Sequence, residues 1–146
     1  MRAILQRVKS AEVRVDGEIV GSIGRGWLVL VGVGQGDTEE SARKLADRVV
    51  KLRMFDDSAG KFNLSALDTG AEVLVVSQFT LYADTSRGRR PSFIGAAEPG
   101  MAAALVDCFG EAVKGYGLKV ETGRFGAHMD VCLINDGPVT VSLEVQ

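Results

Sequence analysis

The 146-residue sequence has few of the residues that build metal centres, disulfides or catalytic triads. It contains two cysteines, Cys108 and Cys132, and one histidine, His128, without metal-ligand spacing. We therefore expect no metal, no cofactor, no Ser-His-Asp triad, and two reduced cysteines in the core. No apolar run approaches the length of about 18 residues that a membrane span needs. Met1–Ala3 does not open a signal peptide, so we expect a cytoplasmic protein.

An excess of charge of one sign is also missing. Seventeen basic residues oppose 19 acidic ones, which gives a net charge of −2. A protein that holds nucleic acid mainly by its overall charge is therefore excluded, whereas a local basic patch is not. The length suits one domain, 1–146, and the 46% hydrophobic content excludes intrinsic disorder.

The spacing of apolar residues predicts an α+β fold with the element order βββ, α, β, α, βββ. This order does not alternate as a doubly wound fold requires. We expect curved, largely antiparallel, barrel-like sheet with two helices packed on one side. Asp37 is the expected N-cap of the first helix. Strands are predicted at 3–15, 18–23, 27–31, 73–81, 119–125, 129–134 and 139–145, helices at 38–55 and 101–116, and irregular stretches at 56–70 and 83–99.

Two motifs have simple interpretations. Gly32, Gly34 and Gly36 follow a strand and precede a helix, but Asp37 stands where a dinucleotide-binding fingerprint needs its third glycine. A turn is the better interpretation. Arg87, Arg89 and Arg90 either pair with phosphates through their guanidinium groups or form a solvated loop.

Two other segments are less ordinary. Ser77–Leu81 places three polar side chains at the end of a fully apolar strand, where they must be hydrogen-bonded or face a cleft. Asn135–Thr140 lies between two strands and reads as a hairpin turn, but it contains Gly-Pro. Proline removes an amide donor and can be cis, while glycine lets another molecule approach the backbone.

At these residues the chain resembles the D-aminoacyl-tRNA deacylase family. The family's signatures are Ser-Gln-x-x-Leu and Asn-x-Gly-Pro-Val-Thr, and both are complete here. The likeness covers the whole chain and includes Met1–Ala3, Gln6–Val8, Asp16–Gly17, Asn63–Ser65 and Gly123–Met129.

The resemblance implies a cytoplasmic homodimer that hydrolyses the ester between a D-amino acid and tRNA and also clears glycine mischarged on tRNA. It implies an active site at the dimer interface, where the Ser-Gln segment of one subunit meets a cis Gly-Pro segment of the other. The catalytic residues it implies are Ser77, Gln78, Phe79 and Thr80. Substrate binding and chiral selection fall to Arg7, Met129, Asn135, Gly137 and Pro138, with Met129 beside the Gly-Pro loop and Arg7 bracing that loop's carbonyls.

These implications agree with physical chemistry. An enzyme that accepts many side chains but only one enantiomer must recognise the geometry at Cα. Rigid backbone carbonyl groups, such as those of Gly137–Pro138, can do this. An activated ester needs mainly oxyanion stabilisation and positioning, which backbone N–H groups near Phe79 and Thr80 can supply. No base is evident beside Thr80. Either its hydroxyl or the 2′-hydroxyl of the substrate handles the proton, and we favour substrate assistance over an acyl-enzyme.

Three alternatives stay open. An editing enzyme for L-aminoacyl-tRNA would keep the fold and change the substrate. A noncatalytic RNA- or DNA-binding module would use the loop of Arg87, Arg89 and Arg90 and show binding without turnover. A metal-dependent hydrolase lacks a ligand cluster in the sequence.

Overall fold

A long bent strand organises the sheet in the computed structural model, which describes residues 1–146. The strands are β1 (Arg2–Val15), β2 (Glu18–Ile23), β3 (Gly26–Gly32), β4 (Phe55–Asp56), β5 (Phe62–Leu64), β6 (Glu72–Ser77), β7 (Val120–Thr122) and β8 (Asp130–Glu144). The helices are α1 (Glu39–Lys51), α2 (Ala66–Thr69) and α3 (Pro99–Gly115), and a 3-10 turn spans Phe79–Tyr82.

Antiparallel and parallel pairing meet in this sheet. β8 runs antiparallel along one edge of β1, while β3 and β2 share the other edge, also antiparallel. β6 is parallel to both β3 and β7, which gives the order β2-β1-β3-β6-β7. The two ends of this order nearly meet, since a Cβ on Gly21 of β2 would lie 2.5 Å from the carbonyl oxygen of Thr122 in β7. The sheet is therefore almost closed into a barrel.

Two apolar clusters hold the layers together. The larger one joins α1 and α3 to the outside of the sheet and includes Leu5, Val29, Leu45 and Phe109. The smaller one fills the barrel and includes Leu28 and Leu74. The expected α+β, barrel-like domain with two helices on one side is therefore confirmed.

The stretch 56–70, expected to be irregular, contains two short strands and a one-turn helix instead. β4 and β5 form a separate antiparallel pair. Ser65 caps α2, because its Oγ accepts a bond from the backbone N–H of Asp68 at 3.2 Å and its own backbone N–H donates to the Asp68 carboxylate at 2.8 Å. Gly70, at φ 64°, ends the helix in the left-handed conformation that glycine favours. A helix of only 4 residues is too short to show helical periodicity in the sequence.

Both ends of α1 differ from the expectation. Thr38, and not Asp37, is the N-cap, because its side chain accepts a bond from the backbone N–H of Ser41. The Asp37 carboxylate instead accepts from the backbone N–H of Gly34 at 2.7 Å. The helix ends at Lys51, and Phe55 continues as β4, where its ring meets Trp27 edge-on at 5.1 Å.

Three further expectations are wrong. The strand β6 ends at Ser77, and the next residues form the 3-10 turn. Asn135–Thr140 is not a hairpin turn, since β8 continues through it with register shifts opposite Gln6–Ser10. Cys132 is exposed, because its neighbours Val131 and Leu133 take the inward positions of the strand, and Cys108 is only half-buried.

Candidate functional site

An apolar cleft of about 600 Å³ lies at the carboxyl ends of the parallel strands β3 and β6. Hydrophobic residues make up 13 of the 18 that line it. Ligands in parallel sheets commonly bind outside the carboxyl ends of the strands, because the chain turns away there and leaves a crevice. Ser77, Gln78 and Phe79 form one side of the cleft, and His128 and Met129 form part of the other.

The end of β6 places two free backbone donors near this cleft. Ser77 is the last residue paired with β3, and Gln78 N still donates to Val31 O at 2.8 Å. The chain then enters the 3-10 turn, in which Leu81 N donates to Gln78 O at 3.2 Å. The backbone N–H groups of Phe79 and Thr80 have no partner in the structure, as is usual for the first residues of a helical turn.

Phe79 and Thr80 are exposed, and no general base lies beside them. The Gln78 side-chain amide donates to Thr80 Oγ1. Phe79 is 56% exposed and packs edge-on against Phe93 at a centroid distance of 5.1 Å. No histidine or carboxylate bonds to Thr80, so nothing here activates its hydroxyl as a nucleophile. The structure therefore brings Ser77, Gln78, Phe79 and Thr80 together as one surface.

The Gly-Pro segment lies elsewhere on the chain. Gly137 and Pro138 are exposed, and the peptide bond between them is cis. Asn135 closes the segment locally, because its Oδ1 accepts from Val139 N at 2.8 Å and its Nδ2 donates to Val139 O at 3.1 Å. A segment closed by two hydrogen bonds in this way presents its backbone in a fixed orientation.

Arg7 braces the same segment from below. Its side chain is only 7% exposed, and Nε donates to the carbonyl oxygen of Asp136 at 2.9 Å. Nη1 donates to Met54 O at 2.7 Å and lies 3.2 Å from a carboxylate oxygen of Asp56. These contacts fix the residue that precedes Gly137.

One chain does not bring the two signature segments together. Arg7 is paired with Trp27, whereas Ser77 is paired with Val31, four residues further along β3. At about 3.3 Å per residue, this separates the two segments by roughly 13 Å along the strands. No residue of 135–140 lines the cleft.

Met129 lies on the cleft side of this division. Its sulfur accepts a bond from the backbone N–H of Arg124 at 3.4 Å. Seven residues of β8, 130–136, separate Met129 from Gly137, so the two are not neighbours within one chain. Their expected contact stays a prediction for an assembly of two copies.

The arginine loop leaves the same turn. Its base is closed by paired backbone bonds between Asp84 and Ser92, at 2.8 and 2.9 Å. Hydrogen bonds from Ser86 to the Asp84 carboxylate lower the pKa of that group. The three arginines themselves, Arg87, Arg89 and Arg90, are exposed and make no ion pair.

Sequence reasoning missed the residues that support the turn. Phe93 packs on Phe79. Arg2 lies over the ring of Tyr82, the last residue of the turn, and donates through Nη1 to the Leu81 carbonyl oxygen at 2.9 Å. Tyr82 directly follows the Ser-Gln signature, which was the one available signal. No group of three or more His, Cys, Asp or Glu side chains is placed to hold a metal. None of the helices combines the length and the apolar character that a membrane crossing requires.

Comparison with known proteins decides the family. Residues 4–144 match the family model described as D-Tyr-tRNA(Tyr) deacylase. The chain belongs to the D-aminoacyl-tRNA deacylase family. A member of this family from Thermomicrobium roseum, a D-aminoacyl-tRNA deacylase, is 60% identical over 144 residues, which cover 99% of this chain and 94% of the relative.

Two solved structures share the deacylase fold. One is described as a c-Myc DNA unwinding element binding protein, with 38% identity, a TM-score of 0.93, and coverage of 100% of this chain and 99% of that one. The other is described as a probable eukaryotic D-amino acid tRNA deacylase, with 19% identity, a TM-score of 0.85, and coverage of 99% and 98%. The second likeness concerns the fold alone. The expected family and the enzyme class, a hydrolase, are thereby confirmed.

Proposed function

We propose that the protein hydrolyses the ester bond of D-aminoacyl-tRNA and releases the D-amino acid and tRNA. The observation that carries this proposal is the turn at the end of β6, where two unpartnered N–H groups stand beside an apolar cleft in a deacylase-family chain. The cleft takes the terminal adenosine and the aminoacyl group. The reaction takes place where the tRNA is, in the cytoplasm.

The chemistry rests on the backbone of the turn. Water attacks the ester carbonyl, and the N–H groups of Phe79 and Thr80 stabilise the oxyanion that forms. Gln78 positions the ribose and Phe79 offers an apolar wall. Because Thr80 bonds only to the Gln78 amide, its hydroxyl at most orients the attacking water. The ribose 2′-hydroxyl of the substrate accepts and returns the proton.

The second half of the site comes from another copy of the chain. The Gly137–Pro138 backbone is exposed, firmly braced by Arg7 and Asn135, and absent from the cleft of its own chain. A homodimer that inserts it into the partner's cleft would place two carbonyl oxygens beside the ammonium group of the substrate. Those carbonyls would crowd the direction of an L side chain, which makes the backbone the chiral selector.

Glycine follows from the same geometry. It has no side chain to collide with the selecting carbonyls, so glycyl-tRNA is a second substrate.

The loop with Arg87, Arg89 and Arg90 contributes affinity for tRNA phosphates and no chirality, because its guanidinium groups are exposed and unpaired.

The first experiment measures deacylation of D-tyrosyl-tRNA, L-tyrosyl-tRNA and glycyl-tRNA by the full chain. We expect release from the D and glycyl substrates and none above the spontaneous rate from the L substrate. Release from both hands, or from the L substrate alone, would replace the proposal with an L-editing enzyme. Insensitivity to EDTA is the expected control result.

Subunit complementation tests the shared site. Gly137→Ala alters the selecting loop, and Ala127→Trp fills the cleft with an indole ring. We expect each variant alone to be inactive. After exchange in an equal mixture, about half of the dimers contain one subunit of each variant, and one of the two sites in such a dimer carries neither change. About one site in four of the mixture is then intact, so about a quarter of parental activity should return. A mixture of exchanged subunits that stays inactive would place the whole site within one chain.

A nucleic-acid-binding module is the second candidate. The description of the 38% identical structure as a DNA-element-binding protein favours it, together with the unpaired arginine loop. This candidate predicts tight, salt-sensitive binding of single-stranded DNA with no deacylation. Binding to uncharged tRNA and to DNA, measured beside the deacylation assay, separates the two.

A further inference from the structure

The glycine segment (Gly32–Asp37) is a motif that the proposed function leaves without a role. It continues β3 beyond its last paired residue and leads into α1. Two of its glycines, Gly32 and Gly34, do not adopt the left-handed conformation. Their lack of a side chain must therefore serve something other than the backbone angle.

A close approach explains both glycines. A Cβ on Gly34 would lie 2.7 Å from both Cε1 and Cζ of the Tyr82 ring. A Cβ on Gly32 would lie 3.0 Å from the carbonyl oxygen of Gln78 and 3.0 Å from Leu81 Cβ. The distances from Gly34 are shorter than real Cβ contacts, whereas those from Gly32 are tight and would require the neighbours to move by a few tenths of an ångström. The 3-10 turn therefore rests directly on the bare backbone of the glycine segment.

Polar bonds fasten Tyr82 to this support. Its hydroxyl donates to Asp37 Oδ2 at 3.4 Å, and the same oxygen accepts from Gly34 N at 2.7 Å. The other carboxylate oxygen pairs with the α-ammonium group of Met1 at 2.7 Å. The Arg2 guanidinium lies over the Tyr82 ring, 4.4 Å from its centre. The ring therefore contacts both the glycine segment and an arginine.

The glycine segment also anchors the facing wall of the cleft. Gln35 N donates to Gly95 O at 3.0 Å, and Ala97 N donates to Val33 O at 2.9 Å. The stretch fixed in this way is a turn closed by Ala96 N and Phe93 O at 3.0 Å, and the ring of Phe93 packs on Phe79. The glycine segment therefore contacts both the turn that carries Phe79 and the stretch that carries Phe93, and it sets the distance between these two parts of the cleft.

We infer that Gly32, Gly34 and Tyr82 are positioning residues of the deacylation site. By packing without a Cβ between them, they set the height of the turn so that the N–H groups of Phe79 and Thr80 meet the ester. None of the three touches the substrate. This inference rests on the proposed function, and its effect is expected in kcat more than in KM, because the oxyanion that the N–H groups of the turn stabilise forms only in the transition state.

The first test is Gly34→Ala in the full-length enzyme. The added Cβ displaces the Tyr82 ring and with it the turn, so we expect kcat on D-tyrosyl-tRNA to fall about tenfold or more, with KM within about twofold. Gly95→Ala is the matched control, because its Cβ would meet the same ring, at Cδ1, at an ordinary 3.7 Å. It should keep parental kcat. A Gly34→Ala enzyme with parental kcat would overturn the inference.

A double-mutant cycle tests the contact itself. Tyr82→Leu removes the ring atoms Cε1, Cζ and Oη that the Cβ of Gly34→Ala would meet. If the clash is the cause, the double variant should exceed the kcat of Gly34→Ala alone by about threefold or more, which is non-additive coupling between neighbours. Independent, additive losses would contradict positioning through this contact. Circular dichroism and Tm verify the fold of each variant.

Hydrogen exchange supplies a readout that needs no activity. The amides of Leu81 and Ala83 close the turn, with bonds to Gln78 O and Thr80 O at 3.2 and 3.1 Å. Gly34→Ala should speed their exchange about fivefold or more, while amides in β1 keep the parental rate. Unchanged exchange in the turn would overturn the inference even if the parent enzyme proved inactive on D-tyrosyl-tRNA, a result that would instead refute the proposed function.

Discussion

The two signature segments are held in opposite ways. The turn after β6 depends on partners 45 and 79 residues away along the chain, through Tyr82 with Asp37 and Leu81 with Arg2. The Gly-Pro segment is closed over four residues by Asn135 and Val139, and its distant supports are Arg7 and the pairing of its two ends with β1. The turn borders a cleft, whereas Gly137 and Pro138 face outward.

This difference separates a receiving surface from an inserting one. A cleft wall has to be positioned by the surrounding fold, since it must match a substrate and a second wall. A segment that enters another molecule needs only to be rigid by itself. Each chain carries both kinds, roughly 13 Å apart along the strands, and under the proposed function a partner copy would complete the site.

The largest expected effect comes from altering the inserting segment. A Cβ on Gly137 would lie 2.5 Å from Val139 N and 2.8 Å from Val139 Cγ2, so the loop must shift to accept it. Within one chain, the collision is with the backbone and the side chain of Val139. We expect Gly137→Ala to fold and to lose more than about 100-fold in kcat/KM on D-tyrosyl-tRNA, as a misplaced group does.

Gly115→Ala is the control for this loss. No atom lies within 4 Å of the Cβ it would add at the end of α3, and Gly115 has no left-handed backbone. Its activity and Tm should match those of the parent. A folded Gly137→Ala enzyme with parental rate and chirality would remove this backbone as the selector.

A smaller effect is expected from the arginine loop, which belongs to neither half. Replacing Arg87, Arg89 and Arg90 together by alanine should raise KM about tenfold and lower the slope of log KM against log salt by about two. Preference for the D substrate should stay. The rates are measured from low to physiological salt on D- and L-tyrosyl-tRNA.

The matched control removes three cations from α1. Arg43, Lys44 and Lys51 pair there with Glu39, Glu40 and Asp47 and are exposed. Their triple alanine variant changes the net charge equally, yet it should leave the salt slope at the parental value. Equal slopes for the loop variant and the parent would favour a solvated loop.

The sequence predicted elements better than it predicted their junctions. The buried runs of β3 and β6 and the periodic stripe of α3 were clear because burial on one face imposes a spacing. The turn at Phe79–Tyr82 was not, because its cause is the glycine segment 45 residues earlier in the chain. Asn135–Thr140 looked like a hairpin, since register shifts against β1 leave no trace in the pattern.

Resemblance to the family predicted both the members of the candidate site and its assembly from two copies, and both stay predictions. Among the expected members, Ser77–Thr80, Arg7 and Asn135, the structure shows Arg7 bonded to Asp136 O and Asn135 bonded to Val139. The 13 Å separation of the two signatures, as estimated from the strand register, follows from pairing across four strands. Long-range pairing is what local patterns cannot encode.

Changing the Thr80 hydroxyl should matter less than changing either backbone. Thr80→Ala removes the acceptor of the Gln78 amide and leaves both N–H donors of the turn in place. We expect kcat within about tenfold of the parent, since removing a true nucleophile costs several orders of magnitude more. Single-turnover deacylation measures this step directly. A trapped acyl adduct on Thr80, or a loss beyond about a thousandfold, would restore covalent catalysis.

The smallest expected effect concerns the phenol beneath the turn. Burial, and then the negative charge of Asp37, raise the pKa of Tyr82 to about 12 from its ordinary value of 10.0. When the pKa of a phenol is higher in the folded than in the unfolded protein, the folded state loses stability as the pH rises from the unfolded pKa through the folded one. The reason is that the phenol ionises more readily in the unfolded chain. Urea midpoints should therefore fall more steeply for the parent than for Tyr82→Phe between about pH 10 and 12.

Asp37→Asn separates the two causes of this shift. The substitution removes the charge but leaves the ring half-buried, so the pKa of Tyr82 should fall and yet stay above its ordinary value. Tyrosinate absorbance follows the ionisation, and Tyr82→Phe identifies the signal of Tyr116, whose pKa is raised by its hydrogen bond to Asp47. An ordinary pKa for Tyr82 in the parent would mean that the turn is as open to water as the Gly-Pro segment, and the contrast between receiving and inserting surfaces would lose its physical basis.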